Sequence, residues 1–258
     1  MAGKTVAVPV VIRKVVWAMV VIGLLYAACI FVIPLDEYRF FGNFFEVLAA
    51  LTCMACSLYA YRHLSPHVIH LLAAFAFGEY ALLTIFWYSY TYLLNRTVVF
   101  TSVSELGFFG FLLFFIALFR IGFPETPCPK YYSAAIILLF LIIPTAVILG
   151  TGISLPAVLL LLRFLVIGIL IDTALTHRIF DNLLLGAGIS LWCIADLLYG
   201  FRETLFISSP MMFPLPAATR QLSVYDFLSI VGPMFIISFA IIQLGLFSSA
   251  ENKSMTRQ

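Results

Sequence analysis

The chain has 258 residues, 64% of them hydrophobic and 10% charged, with a mean hydropathy of +1.12. Soluble domains carry about 25% charged residues, so a water-soluble globule is excluded and a polytopic membrane protein is expected, with the lipid bilayer as its first partner. A formal charge of +2 is too small to serve a nucleic-acid surface, and no nucleic-acid partner is expected.

Lys4, Arg13 and Lys14 precede an apolar run, 15–33, that outlasts the apolar region of a cleaved signal peptide, about 7–15 residues. It reads as a retained first helix. Windows of about 20 apolar residues, the length that crosses a ~30 Å hydrocarbon core, recur at 15–34, 43–62, 68–94, 101–121, 131–150, 154–176, 181–201 and 223–248. Pro34 with Asp36 and Glu37, Ser65-Pro66, Asn95-Arg96, the run 124–129 with three prolines, and Gly150-Thr151-Gly152 punctuate them. The only long connection is 202–222, with Pro210, Pro214 and Pro216. The predicted fold class is all-α, one integral membrane domain over 1–258 with eight transmembrane helices.

Eight spans place both termini on one side. Lys4, Arg13, Lys14, Arg62, Arg120, Lys130, Arg178, Lys253 and Arg257 then share that side, and Arg39, Arg96, Arg202 and Arg220 lie opposite. The positive-inside rule puts both termini in the cytoplasm of a plasma-membrane protein, with the long connection outside. Asn95-Arg96-Thr97, also outside, has the form of a glycosylation sequon.

The chain also repeats a pattern. Gly78-Glu79-Tyr80 in the third window precedes Ser104-Glu105 at the start of the fourth, and Ala195-Asp196-Leu197 in the seventh precedes Tyr225-Asp226 at the start of the eighth. A four-helix unit used twice, about 15–121 and 131–248, accounts for this, and an even number of helices makes the repeats parallel.

Six acids, Glu46, Glu79, Glu105, Asp172, Asp196 and Asp226, lie within or at the rims of the windows, together with Arg163. An ionised group in hydrocarbon costs several kcal/mol unless it meets a partner or a cavity, so such groups mark sites. Glu46, Glu105 and Asp226 fall near helix starts, where capping explains an acid. Asp172 falls near the cytoplasmic end and is expected to reach water. Glu79 and Arg163 share the middle depth and are expected to pair. For Glu79, Arg163 and Asp196, structural ion pairing and a functional pocket remain alternatives. The pocket version is an outward-facing acidic site lined by Glu46, Glu105, Asp196 and Asp226 and floored by Glu79 and Arg163.

Cys53 and Cys56 form a CxxC inside an apolar window, where small-residue packing is expected rather than redox chemistry. His67 and His70 lack the three or four convergent donors of a metal site. No metal, cofactor, nucleophile motif or phosphate loop is expected. Phe86, Trp87, Tyr88, Tyr90 and Tyr92 read as an interfacial belt or as the wall of a vestibule for a small amphipathic or cationic ligand.

Gly78-Glu79, Ser104-Glu105, Ala195-Asp196 and Tyr225-Asp226 resemble the pattern of multi-helix membrane sensor domains of bacterial signalling proteins. The resemblance implies a sensory, ligand-binding module. Those families continue into cyclase or kinase domains, whereas eleven residues follow Phe247 here, so the sensor reading requires a separate signalling partner. The segment from Gly186 to Asp196 is similar to a late helix of the lysoplasmalogenase-like eight-helix family, which implies an intramembrane hydrolase of a lipid ether with Glu79 and Asp196 as acid and base. The segment 111–119 lacks the His expected in that family, and Ala195 stands where it has Ser. A small transporter and a purely structural subunit complete the alternatives.

Overall fold

The computed structural model describes residues 10–63, 67–93, 103–126, 130–153, 155–205, 212–214, 221–223 and 228–255. Among these described residues eight α-helices follow in order: α1 (Val10–Cys29), α2 (Leu35–His63), α3 (Val68–Tyr88), α4 (Val103–Gly122), α5 (Lys130–Thr151), α6 (Leu155–Thr176), α7 (Leu183–Leu205) and α8 (Val231–Met255). Seven are long and apolar enough to cross a membrane, and α4 contributes a shorter apolar stretch, Phe108–Gly122. Apolar composition with internally satisfied backbone is what a bilayer demands of a spanning element.

Several local features depart from the sequence expectation. The third helix does not run to residue 94 as a plain α-helix but widens into a π-turn, Ser89–Leu93. The α7–α8 connection contains two antiparallel strands, β1 (Met212–Pro214) and β2 (Gln221–Ser223), with Phe213 opposite Leu222. Strands of three residues leave too short an alternation to be read from sequence.

The helices pack as a ring with a filled centre. α2 packs on α3, α3 on α4, α4 on α6, α6 on α7, α7 on α8, and α8 on both α1 and α2. α8 is the most enclosed, with 72% of its spanning residues buried, while α5 packs chiefly on α6 and has 6% buried. The uniformly apolar faces of α5 therefore look toward lipid, as do Leu138, Leu139 and Ile142.

Close packing rather than the hydrophobic effect holds helices together in lipid, and small residues permit it. Ala49, Ala50, Cys53 and Ala60 on α2 and Ala73, Ala76 and Ala81 on α3 are buried. Cys53, Cys56 and Cys193 are buried free thiols. α7 and α8 approach closely at two glycines. A Cβ at Gly245 would lie 2.5 Å from the Leu185 backbone nitrogen, and one at Gly188 would lie 2.8 Å from that of Ile242. Between the helices sits an aromatic core of Phe77, Tyr80, Phe111, Phe115, Trp192, Phe235 and Phe239. Trp192 stacks on Phe111 at 4.6 Å, and Tyr80 meets Phe239 edge-on at 4.7 Å.

Polar side chains close the helix ends. Asn182 caps α7 by accepting from the Leu185 amide at 3.1 Å, and its Nδ2 donates to the Gly245 carbonyl and to the hydroxyls of Ser248 and Ser249 on α8. His67 accepts from the Ile69 amide at the start of α3, and His70 one turn on is buried.

Candidate functional site

A cavity of about 80 Å³ lies between the beginning of α2, the end of α3, the beginning of α4, the end of α7 and the beginning of α8. All these helix ends are at one face of the bundle, the face that carries the α7–α8 connection. By this measure one water needs roughly 10–15 Å³, so the space suits several waters or a small ligand. α2 contributes Tyr38, Arg39, Gly42, Asn43 and Glu46. Positions 39, 42, 43 and 46 are spaced i, i+3, i+4 and i+7 and so share one helix face.

Glu46 is 8% exposed and accepts a hydrogen bond from the Tyr80 hydroxyl at 3.0 Å. Its carboxylate occupies the space that Gly232 leaves, since a Cβ there would lie 2.6 Å from Glu46 Oε1. The sequence reading treats Glu46 as an acid near a helix start. The structure corrects this, because α2 begins at Leu35 and places Glu46 about three turns inside at 3.6 residues per turn.

On the far side of the cavity, Asp196 is 2% exposed and Arg163 3% exposed. Arg163 Nη1 donates to Asp196 Oδ1 at 2.5 Å and to the Asp196 carbonyl at 3.2 Å. The guanidinium lies 5.2 Å from the centre of the Tyr199 ring, within cation–π range, and Gly200 leaves room for its stem. This overturns the expected Arg163–Glu79 pair. Both residues sit near the middle of their helices, but α6 packs on α7 and Arg163 meets Asp196 there.

Glu79 lies outside the cavity lining. It is half-buried on α3 and covers Gly110 of α4, where a Cβ would overlap the carboxylate. Its Oε2 is buried without a hydrogen-bond partner among the described residues. Glu105 sits in the first turn of α4, as expected, and its side chain is outside the described part of the structure. Asp226 lies outside the described residues, as does the sequon 95–97. Asp172 is partly exposed near the end of α6. Of the sequence candidates, then, the cavity brings together Glu46 and Asp196, with Arg163 behind the latter.

No family model, curated protein or solved structure matches the chain.

Several cavity residues escape the sequence reading: Arg39, Asn43, Tyr80, Thr84, Tyr199, Ser229 and Gly232. Arg39 Nε donates to the Ser229 hydroxyl at 3.2 Å, joining α2 to the residues just before α8. The i, i+3, i+4, i+7 spacing on α2 was available as a signal once the helix is started at Pro34 rather than at residue 43. Trp87 lines the cavity, whereas Tyr88 and Tyr92 pack around Phe40 beside it. The aromatic segment thus divides into a wall and an outer belt. Among the described residues no three His, Cys, Asp or Glu side chains converge as a metal site would require.

Chemically, the cavity offers a buried carboxylate with a tyrosine donor, an arginine and an amide on the same wall, and an acid already matched by a guanidinium. Aromatic rings of Tyr80, Trp87, Phe108, Tyr199 and Phe235 close it. A concave, mostly apolar space with a few placed polar groups is the usual form of a small-molecule site.

Proposed function

We propose that the protein is a membrane-embedded ligand-binding module of the sensory kind, built from two parallel four-helix repeats and binding a small polar ligand in the cavity between them. The observation that carries this reading is the convergence of Glu46 and Asp196, from opposite halves of the chain, on one aromatic-walled cavity.

The repeat draws support from position and packing together. Residues 163 minus 46 and 196 minus 79 are both 117 apart, so one shift carries Glu46 onto Arg163 and Glu79 onto Asp196. The same pairing of α1–α4 with α5–α8 turns the α2–α8 contact into the α6–α4 contact, and both exist. α5 departs from the scheme by standing outside the ring. In this arrangement the repeat has been used asymmetrically: one half presents a carboxylate to the cavity and the other an ion pair. The hydrolase alternative draws no comparable support, since Glu79 and Asp196 are not presented to one cavity.

The test is ligand-induced thermal stabilisation of the purified protein across a panel of polar metabolites, run beside Gly232→Leu, which fills the space now occupied by the Glu46 carboxylate and the cavity. A stabilising compound that loses its effect in the variant supports the proposal. Stabilisation that is equal in both proteins, or a panel with no stabilising compound, counts against it.

A further inference from the structure

We infer that the cavity takes a small neutral planar molecule with a carboxamide or lactam edge, which the Asn43 side chain reads; this rests on the binding-module reading above. The charges on and behind the lining are already held by the protein. Arg163 meets Asp196. Arg39 donates to Ser229 and Glu46 accepts from Tyr80, and both make further contacts within the chain. A charged ligand would have to draw one of these groups away from its partner and leave the other unmatched, the costly outcome for charges out of water. A neutral ligand disturbs none of them.

The uncharged polar groups are divided differently. Thr84 turns its hydroxyl to the Tyr80 carbonyl at 2.9 Å. Asn43, half-buried on the lining, enters none of these contacts. Its carboxamide presents a donor and an acceptor side by side, the complement of another amide edge. Tyr38, on the same helix and also on the lining, is 1% exposed, and its hydroxyl has no hydrogen-bond partner among the described residues, where buried polar groups as a rule have one. The α2 wall therefore has hydrogen-bonding capacity to offer a ligand, but no charge to offer without breaking a contact. The rings of Tyr80, Trp87, Phe108 and Phe235 stand around the same space, and aromatic rings pack well on a further flat ring. A cavity of about 80 Å³, at roughly 10–15 Å³ per water, holds about five to eight heavy atoms, the size of a single six-membered ring. Pyridones and pyrimidine bases combine that size with a lactam edge and no net charge.

The experiment uses full-length protein in detergent and a matched set of single-ring probes, read by titration calorimetry and thermal shift. 2-Pyridone and uracil carry the flat ring and the lactam edge and are expected to bind most tightly. N-methyl-2-pyridone keeps the ring and the carbonyl but lacks the N–H, and should bind roughly three- to tenfold more weakly, the loss of one neutral hydrogen bond. 2-Piperidone keeps the edge on a puckered ring and should also be weaker. Benzoate and benzylammonium add a charge to a flat ring and should bind least. Asn43→Leu should abolish the difference between 2-pyridone and its N-methyl form, the coupling expected of groups in direct contact. Equal affinities of the two pyridones in the wild type, or a difference that survives Asn43→Leu, overturns the inference. So does benzoate, benzylammonium or 2-piperidone binding as tightly as 2-pyridone. The wild-type comparisons decide on their own if Asn43→Leu does not fold. If the metabolite panel yields a ligand blocked by Gly232→Leu but no neutral lactam binds, the ligand class is wrong and the binding module stands. If neither panel yields a ligand, both fall.

Discussion

Asp196 and Arg163 each answer a charge that the bundle could not otherwise tolerate. Removing one partner from a buried pair leaves the other uncompensated, at a cost of about 3–5 kcal/mol, whereas replacing both by apolar groups is often neutral. Arg163→Met is therefore expected to lower the unfolding midpoint sharply, and Arg163→Met combined with Asp196→Leu to restore most of it. Denaturant or thermal unfolding in detergent micelles measures both, and a mild single variant would contradict the buried pair. Tyr80→Phe should cost about 1.5–3 kcal/mol, the range for a hydrogen bond to a charged group, because the nearly buried Glu46 carboxylate loses the Tyr80 donor. Counting residues along each helix makes the middle positions of Glu79 and Arg163 legible, but it sets Asp196 above them on the lining of the pocket, whereas the structure joins Asp196 to Arg163. It does not make the partner legible. Glu79 shares the middle of its helix with Arg163, and only the arrangement of helices decides that α7, rather than α3, faces the arginine.

At the level of elements, apolar length is read well from sequence and helix starts are not. Pro34 punctuates the chain, but the polar residues Asp36, Glu37 and Arg39 hide the first two turns of α2. Those turns carry Tyr38, Arg39 and Gly42 of the cavity wall. Glycines show a second limit, because a helical glycine looks the same in sequence whether it touches a neighbour or not. Gly245→Ala must push α7 and α8 apart at the Leu185 backbone, and overpacking of this kind costs about 1–3 kcal/mol. Gly150→Ala in α5 has open space around it and is expected to be neutral or stabilising by up to about 1 kcal/mol, as Ala replaces Gly in a helix. Parallel unfolding measurements on the two variants separate a packed glycine from a free one. Asn182→Ala should lose about 0.5–2 kcal/mol through the cap of α7 alone, and its further bonds to α8 place it at the upper end.

For the whole molecule, the membrane class and the eight helices follow from composition and the spacing of apolar windows. The ring order, the outlying position of α5 and the burial of α8 do not, because interchangeable aliphatic helices carry no address in sequence. The cavity belongs to this scale: it exists only because five helix ends from both halves meet. The claim that these ends enclose a water-reachable space, rather than a dry seam, is most directly tested by thiol labelling. Asn43→Cys lines the cavity, and Val32→Cys marks an exposed position in the α1–α2 connection at the same face. In protein whose native cysteines are replaced by Ala or Ser, a membrane-impermeant maleimide applied to sealed vesicles should modify both from the same side, with Asn43→Cys slower but complete. Modification of Val32→Cys with none at Asn43→Cys, even after the vesicles are opened, would contradict a ligand-accepting cavity.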